Sequence, residues 1–190
     1  YLAIYTVVIM ERVVKAVSRS TEHTFSKANQ SSIKLIAGIG VEGDAHAGST
    51  VKHRYLVDKN PSKPNLRQVH LIQSELFDEI KCNGFTLDSG ELGENITTRG
   101  IDLVALPTKT RLLIGDAAIV ELTALRNPCV QIDDFQPGLL KETLYRDAKG
   151  NPSLRKGVMG IVVVGGIVYP GDSIVVNLPS KPHSRLEYVW

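Results

Sequence analysis

Short runs rich in Val, Ile and Leu, broken by glycine turns, fill the second half of this 190-residue chain. Arg111–Ile114 and Ala117–Leu122 flank Gly115-Asp116. Gly160–Val164 and Ile167–Tyr169 flank Gly165-Gly166, and Ser173–Leu178 follows Pro170-Gly171-Asp172. Glycine takes the positive φ that two-residue turns demand, so the spacing predicts a tight hairpin across Gly165-Gly166. Val13–Ser18 alternates and is rich in Val. Repeated short strands with regular turns predict a sandwich or a barrel.

Helical signals are few. Ser74 can cap a helix through Ile80 or Cys82, with Leu76, Phe77 and Ile80 on one face and Gly84 as its stop. A second candidate spans Pro137–Tyr145. Neither alternates with strands as a doubly wound sheet requires, so that fold is excluded. Asp58–Pro64 and Ala148–Lys156 read as polar loops. No linker divides the chain, and its length suits one domain over residues 1–190. The apolar stretch Tyr1–Met10 is too short to span a bilayer and lacks a basic leader. It reads either as a first strand, Ile4–Ile9, or as a loosely attached extension ahead of a start at Met10. A net charge of +2 is too mild to indicate nucleic-acid binding, so any basic surface is local. The expected setting is cytoplasmic, with neither a membrane nor a nucleic-acid partner.

Cys82 and Cys129 are the only cysteines, and they form no CxxC and no zinc-type spacing. This count fits a reducing compartment, although one disulfide between them stays open. Cys129 closes the run Leu125-Arg126-Asn127-Pro128-Cys129. Asn is a favoured N-cap and Pro a favoured first helical residue, so a short helix is predicted from Pro128, with Cys129 in its first turn. Free N–H groups, the helix dipole and Arg126 would then favour the thiolate, the form that attacks, carries sulfur or binds soft metals. A buried structural cysteine is the competing reading.

Four further segments combine glycine with polar residues. Gly40–Gly48 places Asp44 and His46 among three glycines, where they could handle protons, although a lone histidine is more often structural. Lys52-His53-Arg54 is a small basic cluster that an anion could use and that otherwise reads as solvated surface. In Arg67–Leu71, alternation sets Arg67, Val69 and Leu71 on one face and Gln68 and His70 on the other. Gly90–Gly100 brackets Glu94, Asn95 and Thr97, side chains able to hold a polar heterocycle; a plain β-turn is the alternative. Singly, none of the four is specific.

Taken in order they are. GVEGDAHAG, RQVHL, GELGENITTRGIDL, LPTKTRLLIGDAAIVELTALRNPC and GVMGIVVVGGIVYPGD resemble the MOSC family, named for the C-terminal domain of molybdenum cofactor sulfurases. The likeness runs from about Val13 to Val176, and the chain resembles the small stand-alone bacterial members. It implies a closed, mostly antiparallel β-barrel with a few peripheral helices. It also implies that Cys129 matches the family's cysteine, proposed to carry sulfur or ligate molybdenum. Asp44, His46, Arg67, Glu94, Asn95 and Arg126 fall on motif positions near it, and Ala124 stands where many relatives have glycine.

The cofactor implied is molybdenum cofactor, a pyranopterin with a dithiolene and a phosphate. Cys129 would be its metal ligand and a catalytic residue, with Asp44, His46 and His70 as proton-handling groups. Arg54, Arg67, Arg126, Arg155 or Lys156 would meet the phosphate, and Glu94, Asn95, Thr97 and Asn127 complete the expected binding set. The expected activity is reduction of N-hydroxylated compounds. Electrons would come from a separate redox protein, since the chain holds no flavin or iron–sulfur motif. The alternative is a sulfur carrier bearing a persulfide on Cys129, served by a desulfurase. Pyridoxal phosphate is not expected: the chain is too short for that domain, and no lysine stands out as a Schiff-base partner.

Overall fold

The computed structural model describes residues 11–52, 54–127, 129–146, 152–154 and 156–188, with backbone alone for 54–56, 144–146 and 152–154. In chain order the elements are β1 (Val13–Arg19), β2 (Ala28–Gln30), β3 (Ile33–Ile36), β4 (Gly40–Val41), α1 (Arg54–Lys59), β5 (Val69–Gln73), α2 (Glu75–Lys81) and β6 (Ile96–Arg99). A 3₁₀ turn at Leu103–Ala105 precedes β7 (Arg111–Ile114) and β8 (Ala118–Leu125). Then come α3 (Gln131–Phe135), α4 (Leu139–Glu142), β9 (Leu144–Arg146), β10 (Pro152–Leu154), β11 (Val158–Val164), β12 (Gly166–Val168) and β13 (Ile174–Asn177). The protein is mainly β, as its turn pattern predicts.

Eight strands form one sheet in the order β13-β7-β8-β11-β5-β6-β1-β2. Every pairing in it is antiparallel except β5 with β6, whose crossover carries α2. Among the described residues no ladder closes a sheet into the expected barrel. The start of β1 does approach β13, through an isolated bridge between Val13 and Ser173 and a hydrogen bond from the Ile174 N–H to the Arg12 carbonyl at 2.8 Å. β3 lies between β4 and β12 in a smaller sheet, and β9 pairs with β10.

Two apolar clusters hold these layers. Along β8 burial alternates strictly, with Ala118, Val120, Leu122 and Ala124 inward. Ala118, Val120 and Leu122 pack with Val14, Val17, Leu71, Ile96, Leu112 and Val162. The apolar face of α2, Leu76, Phe77 and Ile80, packs with Ile72, Ile132 and Leu139 in the second cluster. β5 therefore feeds both clusters, Leu71 into one and Ile72 into the other. Val69 and Leu71 thus share one face, as the alternation predicts, and the opposite face, which carries His70 and Ile72, is buried as well. Arg67 precedes the strand altogether.

Three local expectations are corrected. β12 pairs with β3 and not with β11, so Gly165-Gly166 is no hairpin turn. The glycines serve close approach instead. A Cβ on Gly165 would stand 2.8 Å from the Leu35 carbonyl oxygen, and one on Gly166 2.9 Å from the Ala118 nitrogen. The stretch Pro137–Tyr145 holds only the one-turn α4 and runs on into β9.

The third correction concerns Cys129. The predicted helix start at Pro128 lies outside the described residues, and α3 begins at Gln131 with Val130 in the cap position. Cys129 thus precedes the helix, and its carbonyl accepts the Ile132 N–H at 3.2 Å. Strand pairing explains the delay. The Leu125 N–H donates to the Glu187 carbonyl at 2.9 Å and the Arg126 N–H to the Gly157 carbonyl at 3.1 Å, holding the chain extended beyond β8. Gly157 can accept this role because it has φ +81° and lies so close to the Leu71 carbonyl that a Cβ would collide with it.

Candidate functional site

Loops following β1, β4 and β8 meet those leading into β5 and β6 around one cavity of about 310 Å³, a size suited to a small ligand. The loop after β1 contributes His23, Thr24, Phe25 and Lys27. His46 and Lys52 come from the loop after β4, and Asn65, Arg67 and His70 from the entry to β5. Gly93 and Asn95 precede β6; Arg126, Cys129 and Gln131 follow β8; Met159 on β11 completes the wall. The described lining contains four cationic side chains, Lys27, Lys52, Arg67 and Arg126, and no carboxylate.

Behind this wall lies a buried polar network centred on Asp44. Its Oδ2 accepts from Lys27 Nζ at 2.7 Å and from Asn95 Nδ2 at 2.9 Å. Its Oδ1 accepts from the His46 backbone N–H at 2.9 Å and faces His46 Nδ1 at 3.2 Å. The Lys27 and Asp44 side chains are 4% and 1% exposed, so this is a fully desolvated ion pair. Burial by itself would raise the Asp44 pKa, but the hydrogen bonds from His46 and the charge of Lys27 outweigh it and hold the carboxylate far below its ordinary range. Asp44 therefore stays ionised, and it works through Lys27 and His46 instead of touching a ligand itself.

Two asparagines fasten the loops. Asn95 donates to the Ser18 carbonyl at 3.1 Å and accepts the His70 N–H at 3.2 Å. Asn65 donates to the carbonyls of His46 and Gly48, both at 3.0 Å, and accepts the Arg67 N–H at 3.0 Å. Histidine and arginine side chains from separate loops are thereby set around one space.

The cations stand in tension. Burial, then the neighbouring charge of Arg126, pulls Arg67 down to about 10. Burial likewise lowers Arg126, while a negative Cys129 would support its charge. Lys156 lies just behind the lining and is 2% exposed, and its Nζ has no hydrogen-bond partner among the described residues. Burial and then Arg126 pull it to about 8, against the opposing pull of Cys129 and Asp133. Buried cations pressed together without enough counter-charge cost free energy that an anionic ligand would recover.

Cys129 is half-buried in the cavity wall and carries a free thiol, whose Sγ donates to Gln131 Oε1 at 3.1 Å. It is not packed in either apolar cluster. Cys82 is exposed at the end of α2 and absent from the lining.

The expected site residues divide accordingly. Cys129, His46, His70, Arg67, Asn95 and Arg126 line the cavity together. Asp44, Glu94, Thr97 and Asn127 do not line it. Glu94 is fully buried, and its Oε1 accepts from the Gly90 N–H at 2.6 Å and from Thr97 Oγ1 at 2.9 Å. Burial raises its pKa, and its Oε2 has no described partner, so Glu94 and Thr97 brace the turn that carries Asn95. Asn127 caps no helix among the described residues, and its Oδ1 has no described partner. Arg54 opens α1 with its side chain outside the described residues, as are His53 and Arg155.

His23, Phe25, Lys27, Asn65 and Met159 also line the cavity, beyond the expected set. His23 packs edge-on against the His46 ring, with centroids 4.8 Å apart. The signal available for His23, Phe25 and Lys27 was Ser20–Lys27, a polar stretch with a histidine and an aromatic between two strands and no helical or strand period.

Among solved structures the chain is similar to the YuaD protein from Bacillus subtilis, with a TM-score of 0.73 and 24% identity over 90% of this chain and 98% of that one. It is also similar to YiiM from Geobacillus stearothermophilus, with a TM-score of 0.62 and 14% identity over 92% and 80% of the two chains. YiiM from Escherichia coli follows at 0.58 and 13%, over 90% and 73%. These likenesses show a shared fold. No curated protein matches the sequence. The MOSC domain model matches residues 44–175, from the Asp44 of the buried network through the Cys129 loop into β13, and the chain belongs to the MOSC domain family.

Proposed function

We propose that the cavity binds molybdenum cofactor, with Cys129 as the protein ligand to the metal, and that the loaded protein reduces N-hydroxylated compounds. The observation carrying this reading is a thiol in the wall of a carboxylate-free cavity lined by Lys27, Lys52, Arg67 and Arg126. The family is associated with this cofactor. The residues present fit the group. No described cluster of three His, Cys, Asp or Glu could hold a bare metal ion, so a metal here must bring most of its ligands with it, and Cys129 adds a soft one. Arg67 and Arg126 offer paired donors to a phosphate, with Lys156 adding charge from behind. Asn95 and the backbone near Gly93 offer polar contacts to a pterin edge.

When bound, the cofactor supplies two-electron oxygen-atom chemistry. The chain itself binds, orients and neutralises it. A redox protein would deliver the electrons. Among the described residues no helix is long and apolar enough to cross a membrane.

The test is to purify the protein from a host that makes the cofactor and measure molybdenum and released pterin. Near-stoichiometric amounts of both support the reading. Absence of both, with a sulfur adduct on Cys129 by intact mass, would replace it with the persulfide carrier.

A second expectation follows from Lys156. Lys156→Met removes a buried charge without a described hydrogen-bond partner and should raise the thermal midpoint of the cofactor-free protein by a few degrees. It should also shrink the stabilisation given by inorganic phosphate. A lower midpoint with the phosphate response intact would mean that Lys156 serves the fold alone.

A further inference from the structure

Three histidines, His23, His46 and His70, line the cavity, and the structure separates the roles of the last two. His70 is 5% exposed, and its Nε2 is engaged with the Lys156 carbonyl at 2.8 Å. A carbonyl only accepts, so Nε2 carries a hydrogen committed to that bond. His70 is a locked, neutral brace that ties β5 to the approach to β11.

His46 is placed differently. Its side chain is 31% exposed, its Nδ1 lies 3.2 Å from Asp44 Oδ1, and its ring rests edge-on against His23. The Asp44 carboxylate also takes the Lys27 ammonium at 2.7 Å and Asn95 Nδ2 at 2.9 Å, so it is ionised and can only accept. The hydrogen between the two rests on His46 Nδ1. That leaves Nε2, which makes no hydrogen bond among the described residues, free to exchange a proton on the open side of the ring.

We infer that Asp44 and His46 form a positioning dyad: Asp44 fixes the Nδ1–H tautomer, and His46 Nε2 is the group that gives a proton to a substrate in the cavity. This deepens, and rests on, the cofactor reading above. Converting R–NH–OH to R–NH₂ and water takes up two electrons and two protons and breaks the N–O bond. The electrons come from the redox protein. His46, as its imidazolium, gives one proton to the departing hydroxyl oxygen and recovers it from solvent, and the second proton reaches the nitrogen from water. Asp44 acts through His46, as the orienting member of an acid–base pair does. Lys27 and Asn95 hold Asp44 in place.

Two readouts test this. The first is ¹⁵N NMR of histidine-labelled, cofactor-free protein, with His46→Gln used to assign the ring. Wild-type His46 should show the Nδ1–H tautomer, and Asp44→Asn should shift it to Nε2–H. The second is turnover of an N-hydroxylated substrate by loaded protein. His46→Gln should lower kcat by about 10²–10⁴-fold with KM and molybdenum content unchanged, since that is the usual yield of a positioned acid. His46 is half-exposed, so this variant is readable even where Asp44→Asn folds poorly. A wild-type Nε2–H tautomer, or a His46→Gln kcat within twofold of wild type, overturns the dyad. Absence of molybdenum from wild-type protein overturns the cofactor reading and the proton's destination with it, while the tautomer still judges the pair.

Discussion

Asp44→Ala is expected to destabilise the protein by about 3–5 kcal/mol, the usual cost of stranding one member of a buried ion pair. Lys27 would be left without its counter-ion with a 4% exposed side chain, the His46 N–H would lose its acceptor, and Asn95 Nδ2 would lose one of its two. For a chain of this size the thermal midpoint should fall by on the order of 10 °C. Calorimetry or circular dichroism melts at neutral pH measure this directly. A loss below about 1 kcal/mol would mean that the network is solvated in solution and that the loops around the cavity are held by something else.

The same residue sets an acid limit. Its folded pKa lies below its unfolded value, so its stabilisation is fully present above about pH 4 and is lost as pH falls through the folded value. In Asp44→Ala that part of the acid dependence should be missing, and the gap between variant and wild type should narrow below about pH 4.

The second large effect concerns the sulfur. Cys129→Ser should lose cofactor and turnover by more than about tenfold, because even a residue behind a metal ligand commonly costs 10–100-fold. Cys82→Ser should keep both, since Cys82 is exposed at the end of α2 and lies off the cavity. Both variants should melt within a few degrees of wild type, as neither thiol belongs to an apolar cluster. Equal losses in the two, with both unfolded, would assign the cysteines to structure.

The β-rich fold was legible because strand period and glycine turns are local signals. Arg111–Leu122 shows this: its Gly115-Asp116 break is the β7–β8 connection, with Ile114 paired to Ala118. Gly165-Gly166 shows the limit. Two glycines between strands look alike whether they turn the chain back or let it pass close to a neighbour, and only the partner, here β3, decides. The delayed start of α3 has the same origin. Asn127-Pro128 favours a helix locally, but pairing between the Arg126 N–H and the Gly157 carbonyl outweighs that preference.

The site was legible through its motifs, which supply Cys129, Arg126, Arg67, His46, His70 and Asn95 to one cavity. What the motifs could not show is which residues touch the space and which stand behind it. Asp44, Glu94 and Thr97 share motif segments with lining residues yet point into the supporting network. Lys27 was invisible for the converse reason. An isolated lysine in a polar loop reads as solvated surface, and only the fold sets it on Asp44.

Molybdenum-edge X-ray absorption on loaded wild-type protein and on Cys129→Ser reconstituted with excess cofactor tests the cysteine–metal bond most directly. The account predicts a sulfur scatterer in the wild type beyond the two of the dithiolene, absent in the variant. Identical sulfur coordination in both proteins would contradict it.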